Sequence, residues 1–240
     1  MLGIIFTGGE GPDTQVIKQL FKTEIDLKNT LVIAADSGLV AAQNAGIKPD
    51  WIIGDMDSLG TSTEPLCGEG SPLVNHSRLS AYPPERVIRH DHDKDFTDTE
   101  LAFILAAEKG CNVIWIIGGG GGRIDHLLGI HSLFERELFP RRWITGNADI
   151  YCIDAEIIGN EKLTINNDQK IENRAGVIVS VFPLGAGPWE AESGGLKWQL
   201  KGVSWNRGFF GLSNVALDGS FSVTAKHGRF MIILPYKGTE

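Results

Sequence analysis

Four aspartates whose side chains suit metal binding fall where predicted strands end or a predicted helix begins: Asp36, Asp55, Asp57 and Asp98. Asp55 and Asp57 are two residues apart, so on an extended segment both carboxylates point the same way and offer hard oxygen ligands to one Mg²⁺. An Asx-rich turn is the alternative for this pair, and a favourable charge at a helix N-terminus is the alternative for Asp98. Because parallel strands end at one sheet edge, the four together favour a site for a metal and phosphates.

A glycine run at residues 118–122 lies between a predicted strand and a predicted helix and is followed by Arg123. Such a run lets backbone N–H groups approach a phosphate. A guanidinium beside it can donate two parallel hydrogen bonds to phosphate oxygens. Arg123 stands where G-x-G-x-x-G needs its last glycine, and the Lys and Ser/Thr of a P-loop are missing. In the alternative interpretation, Arg123 pairs with Asp125 or with a helix carbonyl.

Other metal sites fit the sequence poorly. The acidic run around Asp93 fails as a calcium loop because Phe96 stands where glycine is needed and Ala102 where a carboxylate is needed. His90 and His92 could ligate zinc, but on an exposed strand end they are better explained as solvated polar residues. His126 and His131 are five apart and do not share a helix face well.

The elements that must position these residues follow from the first 140 residues, which alternate short β-rich runs with amphipathic stretches. This alternation is typical of a mostly parallel sheet flanked by helices. The predicted strands are 3–7, 31–35, 51–53, 86–90 and 113–117. The predicted helices are 14–22, 39–44, 97–109 and 123–139. Thr97 and Glu100 form a T-x-x-E capping box, which places Asp98 in the first turn of its helix.

After Pro140 the pattern becomes β-rich and predicts an antiparallel sandwich or barrel. The predicted strands there are 149–153, 162–165, 176–182, 196–200, 220–225 and 229–234. Residues 60–84 are rich in Ser, Thr, Pro, Gly and Glu, which predicts a long exposed loop.

Length and composition bound the class of protein. The chain has 240 residues, 42% of them hydrophobic, enough for a sizeable core or two small ones. A net charge of −8 argues against a nucleic-acid partner. Three widely spaced cysteines give no disulfide framework and favour a reducing cytoplasm. The apolar start at 2–6 predicts a strand rather than a signal peptide, and no run approaches the roughly 20 residues that span a bilayer.

Six ordered motifs resemble the thiamine pyrophosphokinase family. They are Ala-Asp-Ser-Gly at 35–38, Gly-Asp-Met-Asp-Ser at 54–58, Asp-Lys-Asp-Phe-Thr-Asp at 93–98, Gly-Gly-Arg-Ile-Asp-His at 121–126, Gly-Leu-Lys-Trp-Gln-Leu at 195–200 and Gly-Leu-Ser-Asn at 211–214. Two features depart from the family pattern. Met56 stands where Phe is frequent, and the loop at 60–84 is longer than usual.

The resemblance implies Mg²⁺-dependent transfer of a pyrophosphoryl group from ATP to the hydroxyl of thiamine, which gives thiamine diphosphate and AMP. It implies an α/β nucleotide-binding catalytic domain at 1–142, a β-sandwich for thiamine binding and dimerisation at 143–240, and a homodimer with active sites between subunits.

By motif position, the resemblance also assigns residues. The catalytic set is Asp36, Asp55, Asp57 and Asp98, of which Asp55, Asp57 and Asp98 are metal ligands. The nucleotide-binding set is Lys94, Thr97, Arg123 and Asp125. The thiamine-binding set is Trp198, Ser213 and Asn214, and a flat aromatic face suits a cationic thiazolium ring.

Two rival functions also fit parts of the sequence. The turn at Gly8, Gly9 and Gly11 in the first βα unit would also suit a dinucleotide-dependent oxidoreductase. The missing G-x-G-x-x-G and the acids where a pyrophosphate would rest count against it. A non-catalytic nucleotide or thiamine sensor is the other rival, and the presence of all four acids favours catalysis over sensing.

Overall fold

A computed structural model describes residues 1–56, 78–91, 93, 95–158, 162–165, 178–217 and 220–236. The chain forms two compact units. The first unit comprises Met1–Leu133, Leu138–Pro140 and Ile144–Gly146, and the second comprises Phe134–Glu137, Arg141–Trp143 and Asn147–Glu240. The division at 142 and 143 stays a prediction, because the units interleave along the chain around these positions.

The first unit is built on parallel strands with helices between them. Its strands are β1 Leu2–Phe6, β2 Thr30–Ala35, β3 Trp51–Gly54, β4 Val87–Arg89 and β5 Val113–Ile117. They pair in the order β5, β1, β2, β3, β4, with every pair parallel. Its helices are α1 Thr14–Thr23, α2 Gly38–Asn44, α3 Asp98–Glu108 and α4 Ile124–Leu133, with 3₁₀ turns at Leu27–Asn29 and Pro84–Arg86. The prediction of an α/β first half is confirmed, each strand lying within two residues of its expected bounds.

Strand β1 lies inside the sheet, between β5 and β2, and is apolar on both faces. Ile4, Ile5 and Phe6 are fully buried, as expected for a parallel strand covered by helices on two sides. Helix α1 packs Ile17 and Leu20 into the same cluster. The predicted exposed loop is corrected at its end, since Tyr82 is buried among hydrophobic neighbours. Residues 60–77 of that loop lie outside the described part of the chain.

The second unit is antiparallel. Its described strands are β6 Pro140–Ile144, shared with the first unit, and β7 Ala148–Asp154, β8 Lys162–Ile165, β9 Ile178–Leu184, β10 Glu190–Gly194, β11 Gly211–Val215, β12 Phe221–His227 and β13 Arg229–Pro235. One layer runs β11, β9, β13, β7 and the other β10, β12, β8. A short helix, α5, spans Ala155–Ile158. Val181 and Phe230 of one layer share a core with Val223 and Ala225 of the other, which confirms the predicted antiparallel sandwich.

One predicted helix is too long and one predicted strand is wrong. The helix expected over 123–139 ends at Leu133, because Arg229 Nη1 donates to the carbonyls of Phe134 and Arg136 at 2.7 and 2.8 Å. The strand expected over 196–200 is instead a looped segment with one bridge at Leu196. Gln199 Nε2 donates to the Leu196 carbonyl at 2.7 Å, so side chains satisfy backbone groups that a neighbouring strand would otherwise bind.

Strands β6, β10 and β11 were not predicted. Only Ala191 is fully buried in β10, so that strand lacks the apolar alternation by which strands are recognised. Among the described helices, none is both long and apolar enough to cross a membrane.

A buried ion pair inside the second unit generates a stability prediction. Arg142 Nε and Nη2 donate to the two carboxylate oxygens of Asp149 at 2.9 and 2.7 Å, and the Tyr151 hydroxyl donates to the same group at 2.8 Å. Asp149→Ala removes the carboxylate that accepts hydrogen bonds from both Arg142 and Tyr151. We therefore expect a loss of about 3 kcal/mol in the free energy of unfolding, measured by urea denaturation.

Glu192→Ala is the matched control, because Glu192 pairs with Lys201 at the surface. It should leave the free energy of unfolding close to that of the wild type. A similarly small change for Asp149→Ala would contradict the structural role of the buried pair.

Candidate functional site

A cavity of about 460 Å³ opens in the first unit where β1, β2, β3 and β5 end. This is the edge at which open parallel sheets place their ligands. The residues that line it come from the four strand ends and from the starts of α3 and α4: Thr7, Gly8, Gly9, Ala35, Asp36, Ser37, Asp55, Thr97, Asp98, Thr99, Gly119, Gly120, Gly121, Gly122, Arg123, His126 and Ile130. The strand order therefore gathers residues that are far apart in sequence into one cavity.

Three carboxylates meet in this cavity. Asp36, Asp55 and Asp98 each offer an oxygen atom, and these atoms all lie within 4.8 Å of one another. All three side chains are partly buried, and Oδ1 of Asp36 is shielded from solvent. A set of hard oxygen donors at this spacing is suited to holding a divalent cation.

Unusual backbone conformations aim two of these acids. Asp36 has a φ of 46° and Met56, next to Asp55, has a φ of 63°, both in the left-handed region that non-glycine residues seldom adopt. Asp36 is held there by its N–H, which donates to the Ile53 carbonyl at 2.9 Å. Each left-handed residue costs on the order of 1 kcal/mol. The first unit thus keeps strained backbone on both strands that carry the acids.

Helix α3 delivers the third acid. The Thr97 hydroxyl accepts from the Glu100 N–H at 3.2 Å, so the helix begins where the T-x-x-E pattern predicts and Asp98 lies in its first turn. The positive end of the helix dipole also favours a carboxylate there. Thr97 is thus a cap, and its hydroxyl still has a hydrogen to donate into the cavity.

The glycine run lines the same cavity and pairs with the turn that follows β1, and this part of the lining is called the glycine wall. Glu10 N–H donates to the Gly120 carbonyl at 2.6 Å and Gly120 N–H returns the bond at 2.9 Å, while Gly119 N–H donates to the Gly8 carbonyl at 2.8 Å. A side chain on Gly121 would place its Cβ 2.3 Å from the Glu10 carboxyl carbon. The N–H groups of Gly119 and Gly120 are thus already used in hydrogen bonds within the glycine wall.

Arg123 is paired with Asp125, as the alternative interpretation of the sequence had it. Arg123 Nε donates to Asp125 Oδ1 at 3.1 Å, and Nη2 donates to Oδ2. This hydrogen bond lowers the pKa of Asp125 and raises that of Arg123. The two side chains are 71% and 61% exposed, so the pair contributes little to stability and Arg123 can change partners at low cost.

Asp57 and Lys94 lie outside the described residues, and their roles stay predictions. Reasoning from the sequence missed Thr7, Thr99 and His126 as parts of the cavity wall. Thr7 follows β1 directly, so the strand-end rule that selected the acids would have selected it too. His126 was included in the motif at 121–126 and weighed as a zinc ligand, but it was given no role at the phosphate site.

The predicted thiamine residues belong to the second unit. Asn214 is buried; its Oδ1 accepts from Trp198 N–H at 3.1 Å and its Nδ2 donates to the Trp198 carbonyl at 2.6 Å, so it fixes the backbone of Trp198. Trp198 is 54% exposed, and Lys197 Nζ lies 4.5 Å from the centre of its ring. Ser213 is exposed with a φ of 55°. Contact of these three residues with thiamine stays a prediction.

Comparison with known proteins gives consistent matches. A family model described as "Thiamin pyrophosphokinase, catalytic domain" matches residues 23–142, half of the chain. The thiamine pyrophosphokinase of Bacillus subtilis (strain 168) is 36% identical over 102 residues, and this match spans 42% of the chain and 42% of that protein's length.

Two solved structures share the fold over nearly the whole chain. The crystal structure of the Bacillus subtilis thiamine pyrophosphokinase is 25% identical, with 98% of this chain and 99% of that chain covered and a TM-score of 0.72. The thiamin pyrophosphokinase of Candida albicans is 16% identical, with 98% and 89% covered and a TM-score of 0.66. The arrangement of strands that builds the cavity is therefore common to these proteins.

Gly54 generates a prediction about metal binding. With a φ of 147°, it lies so close to the acids that a Cβ would be 3.1 Å from both Asp36 Cβ and Asp98 Oδ1. Gly54→Ala should push the carboxylates apart and raise the Kd for Mn²⁺ by about tenfold or more, measured by isothermal titration without nucleotide.

Gly46→Ala is the matched control. Gly46 also has a positive φ, of 75°, but nothing lies within 4 Å of its Cβ position. This control should lose about 1 kcal/mol of stability and keep the wild-type Kd. Equal Mn²⁺ affinity in the Gly54 and Gly46 variants would contradict the crowding argument.

Proposed function

Because the chain belongs to the thiamin pyrophosphokinase family, we propose that it transfers a pyrophosphoryl group from ATP to the hydroxyl of thiamine, giving thiamine diphosphate and AMP. The observation that carries the proposal is the meeting of Asp36, Asp55 and Asp98 in one cavity that the glycine run also lines. Acids alone would repel a triphosphate, so this arrangement makes chemical sense only with a cation between them.

The metal in this proposal is Mg²⁺. Asp36, Asp55 and Asp98 would hold it, since three carboxylate oxygens within 4.8 Å fit the preference of Mg²⁺ for hard oxygen ligands. The motif at 54–58 adds Asp57 to this set of metal ligands. When bound, Mg²⁺ supplies charge neutralisation to the phosphate oxygens of the substrate.

The transfer forms one bond and breaks one. The thiamine hydroxyl oxygen bonds to the β-phosphorus of ATP, the bond from the β-phosphorus to the oxygen that bridges it to the α-phosphorus breaks, and AMP leaves with that oxygen. The hydroxyl proton passes to a carboxylate in the cavity, and Asp36 and Asp98 are the two candidates. The enzyme's main contribution is to position the substrates and balance their charge.

The glycine wall and Arg123 form the phosphate-binding side. Because Gly119 and Gly120 use their N–H groups in pairing, a phosphate would meet Gly121, Gly122 and Arg123. Arg123 would exchange the Asp125 carboxylate for phosphate oxygens, and Asp125 would keep the guanidinium at the site until then. Lys94 and the Thr97 hydroxyl are the further nucleotide contacts that the motifs assign.

Thiamine and a second copy of the chain complete the proposal. We assign the thiamine ring to the face of Trp198, with Ser213 and Asn214 nearby. The homodimer is supported by large apolar side chains that the second unit exposes: Trp198, Phe209, Phe210, Leu212 and Leu217. An exposed apolar set of this kind favours a protein contact. A cytoplasmic location is part of the proposal, since the described cysteines, Cys111 and Cys152, are free thiols.

The proposal is tested by incubating the protein with MgATP and thiamine and measuring all products by chromatography. Thiamine diphosphate and AMP should appear in equal amounts. Thiamine monophosphate with ADP would sink the pyrophosphoryl claim. Bound metal and nucleotide without turnover would favour a sensor, and a response to NADH but not to MgATP would favour the oxidoreductase.

Asp55→Asn should lower kcat by about a thousandfold, corresponding to about 4 kcal/mol of lost transition-state stabilisation, because one charge at the metal site is removed. Asp57→Asn should act in the same direction. Asp91→Asn is the matched control, since Asp91 is exposed and is not among the cavity residues. Circular dichroism checks that each variant folds, and a folded Asp55→Asn protein with wild-type kcat would remove Asp55 from the site.

A further inference from the structure

A short hydrogen bond between two hydroxyl groups joins β1 to the start of α3. Thr7 Oγ1 and Thr99 Oγ1 are 2.5 Å apart, although the residues are 92 positions apart in sequence. Thr7 is only 6% exposed and directly follows β1, and Thr99 directly follows Asp98 in the first turn of α3. Both residues line the cavity that holds the three acids. The proposed function gives no role to Thr7 or Thr99.

Thr7 is a fixed point in the first unit. Its N–H donates to the Ile117 carbonyl at 2.9 Å, which continues the pairing of β1 with β5. Its own carbonyl faces Gly118 so closely that a Cβ there would lie 2.3 Å away. Thr7 is therefore held by backbone on both sides, and its hydroxyl is presented to α3 from a constant position.

Helix α3 needs such an anchor at the site end. Its other end is packed closely on β1, where a Cβ on Gly3 would lie 3.4 Å from Ala106 Cβ and 3.0 Å from Cys111 Sγ. Apolar packing of this kind is non-directional and tolerates small shifts along the helix axis. A hydroxyl–hydroxyl hydrogen bond is short and directional, so it fixes the first turn.

We propose that the Thr7–Thr99 hydroxyl pair is a positioning device that sets how far Asp98 reaches toward Asp36 and Asp55, and thereby sets the affinity of the site for a divalent metal. Thr97 determines where α3 begins, and Thr99 determines where that beginning lies on the sheet. The inference rests on the proposed function for its metal-dependent reaction, but metal binding itself can be measured without turnover.

The test measures Mn²⁺ binding to the full chain without nucleotide, by isothermal titration and by electron paramagnetic resonance. Thr99→Val removes the hydroxyl with little change in shape, and we expect the Kd for Mn²⁺ to rise about fivefold, the effect of losing one hydrogen bond. Thr99→Ser keeps the hydroxyl and should bind Mn²⁺ like the wild type. Thr7→Val combined with Thr99→Val should be no worse than either single change, because both remove the same bond.

An unchanged Kd in Thr99→Val, even with a lower melting temperature, would overturn the proposal and leave the pair a purely structural contact. Failure of Thr99→Ser to restore affinity would also overturn it. If Thr7→Val does not fold, the Thr99 variants still test the proposal, because Thr99 is only half-buried and its substitution disturbs the core less. If the variants show these Mn²⁺ affinities but the wild-type protein makes no thiamine diphosphate, the proposed function is refuted and the positioning role of the pair stands.

Discussion

Mutual repulsion among the carboxylates of Asp36, Asp55 and Asp98 is the constraint on which the first unit's structure depends. With oxygens within 4.8 Å, each pair of charges repels by about 3 kcal/mol at an effective dielectric constant of about 20. The fold holds these side chains from behind, through the left-handed backbone at Asp36 and Met56, the absence of a Cβ at Gly54 and the capped start of α3. A cation that relieves this repulsion then binds more tightly, because the three carboxylates are already held in place.

The same constraint explains why the cavity walls differ. The acid wall is built from strand ends and a helix start, where carboxylates are aimed by backbone geometry. The glycine wall carries almost no side chains, because it must let phosphate oxygens approach. Arg123 belongs to this second wall and has an exposed partner in Asp125, so its guanidinium is accessible where a phosphate would arrive. In the proposed reaction, the first unit handles the nucleotide and the second supplies the aromatic face for the acceptor.

Features set by local patterns were predictable from the sequence. The parallel strands, the Thr97 cap and the meeting of acids at the strand ends follow from short-range patterns and one topological rule. Features set by distant contacts were not. Helix α4 ends at Leu133 because of Arg229, 96 residues further along, and the Thr7–Thr99 bond joins segments whose proximity only the folded sheet creates. Residues 196–200 have a strand-like composition, yet side-chain bonds from Gln199 and Asn214 hold them as a loop.

The central claim is that Asp36, Asp55 and Asp98 would hold a divalent metal, which would neutralise the charge of the triphosphate that is attacked at its β-phosphorus. Diffraction at the manganese absorption edge tests it most directly, on crystals grown with Mn²⁺, thiamine and an ATP analogue carrying a methylene group between the α- and β-phosphorus atoms. The account predicts an anomalous peak roughly 2 Å from carboxylate oxygens of this cluster and in contact with the phosphates. A peak elsewhere, with the triphosphate away from these aspartates, would contradict it.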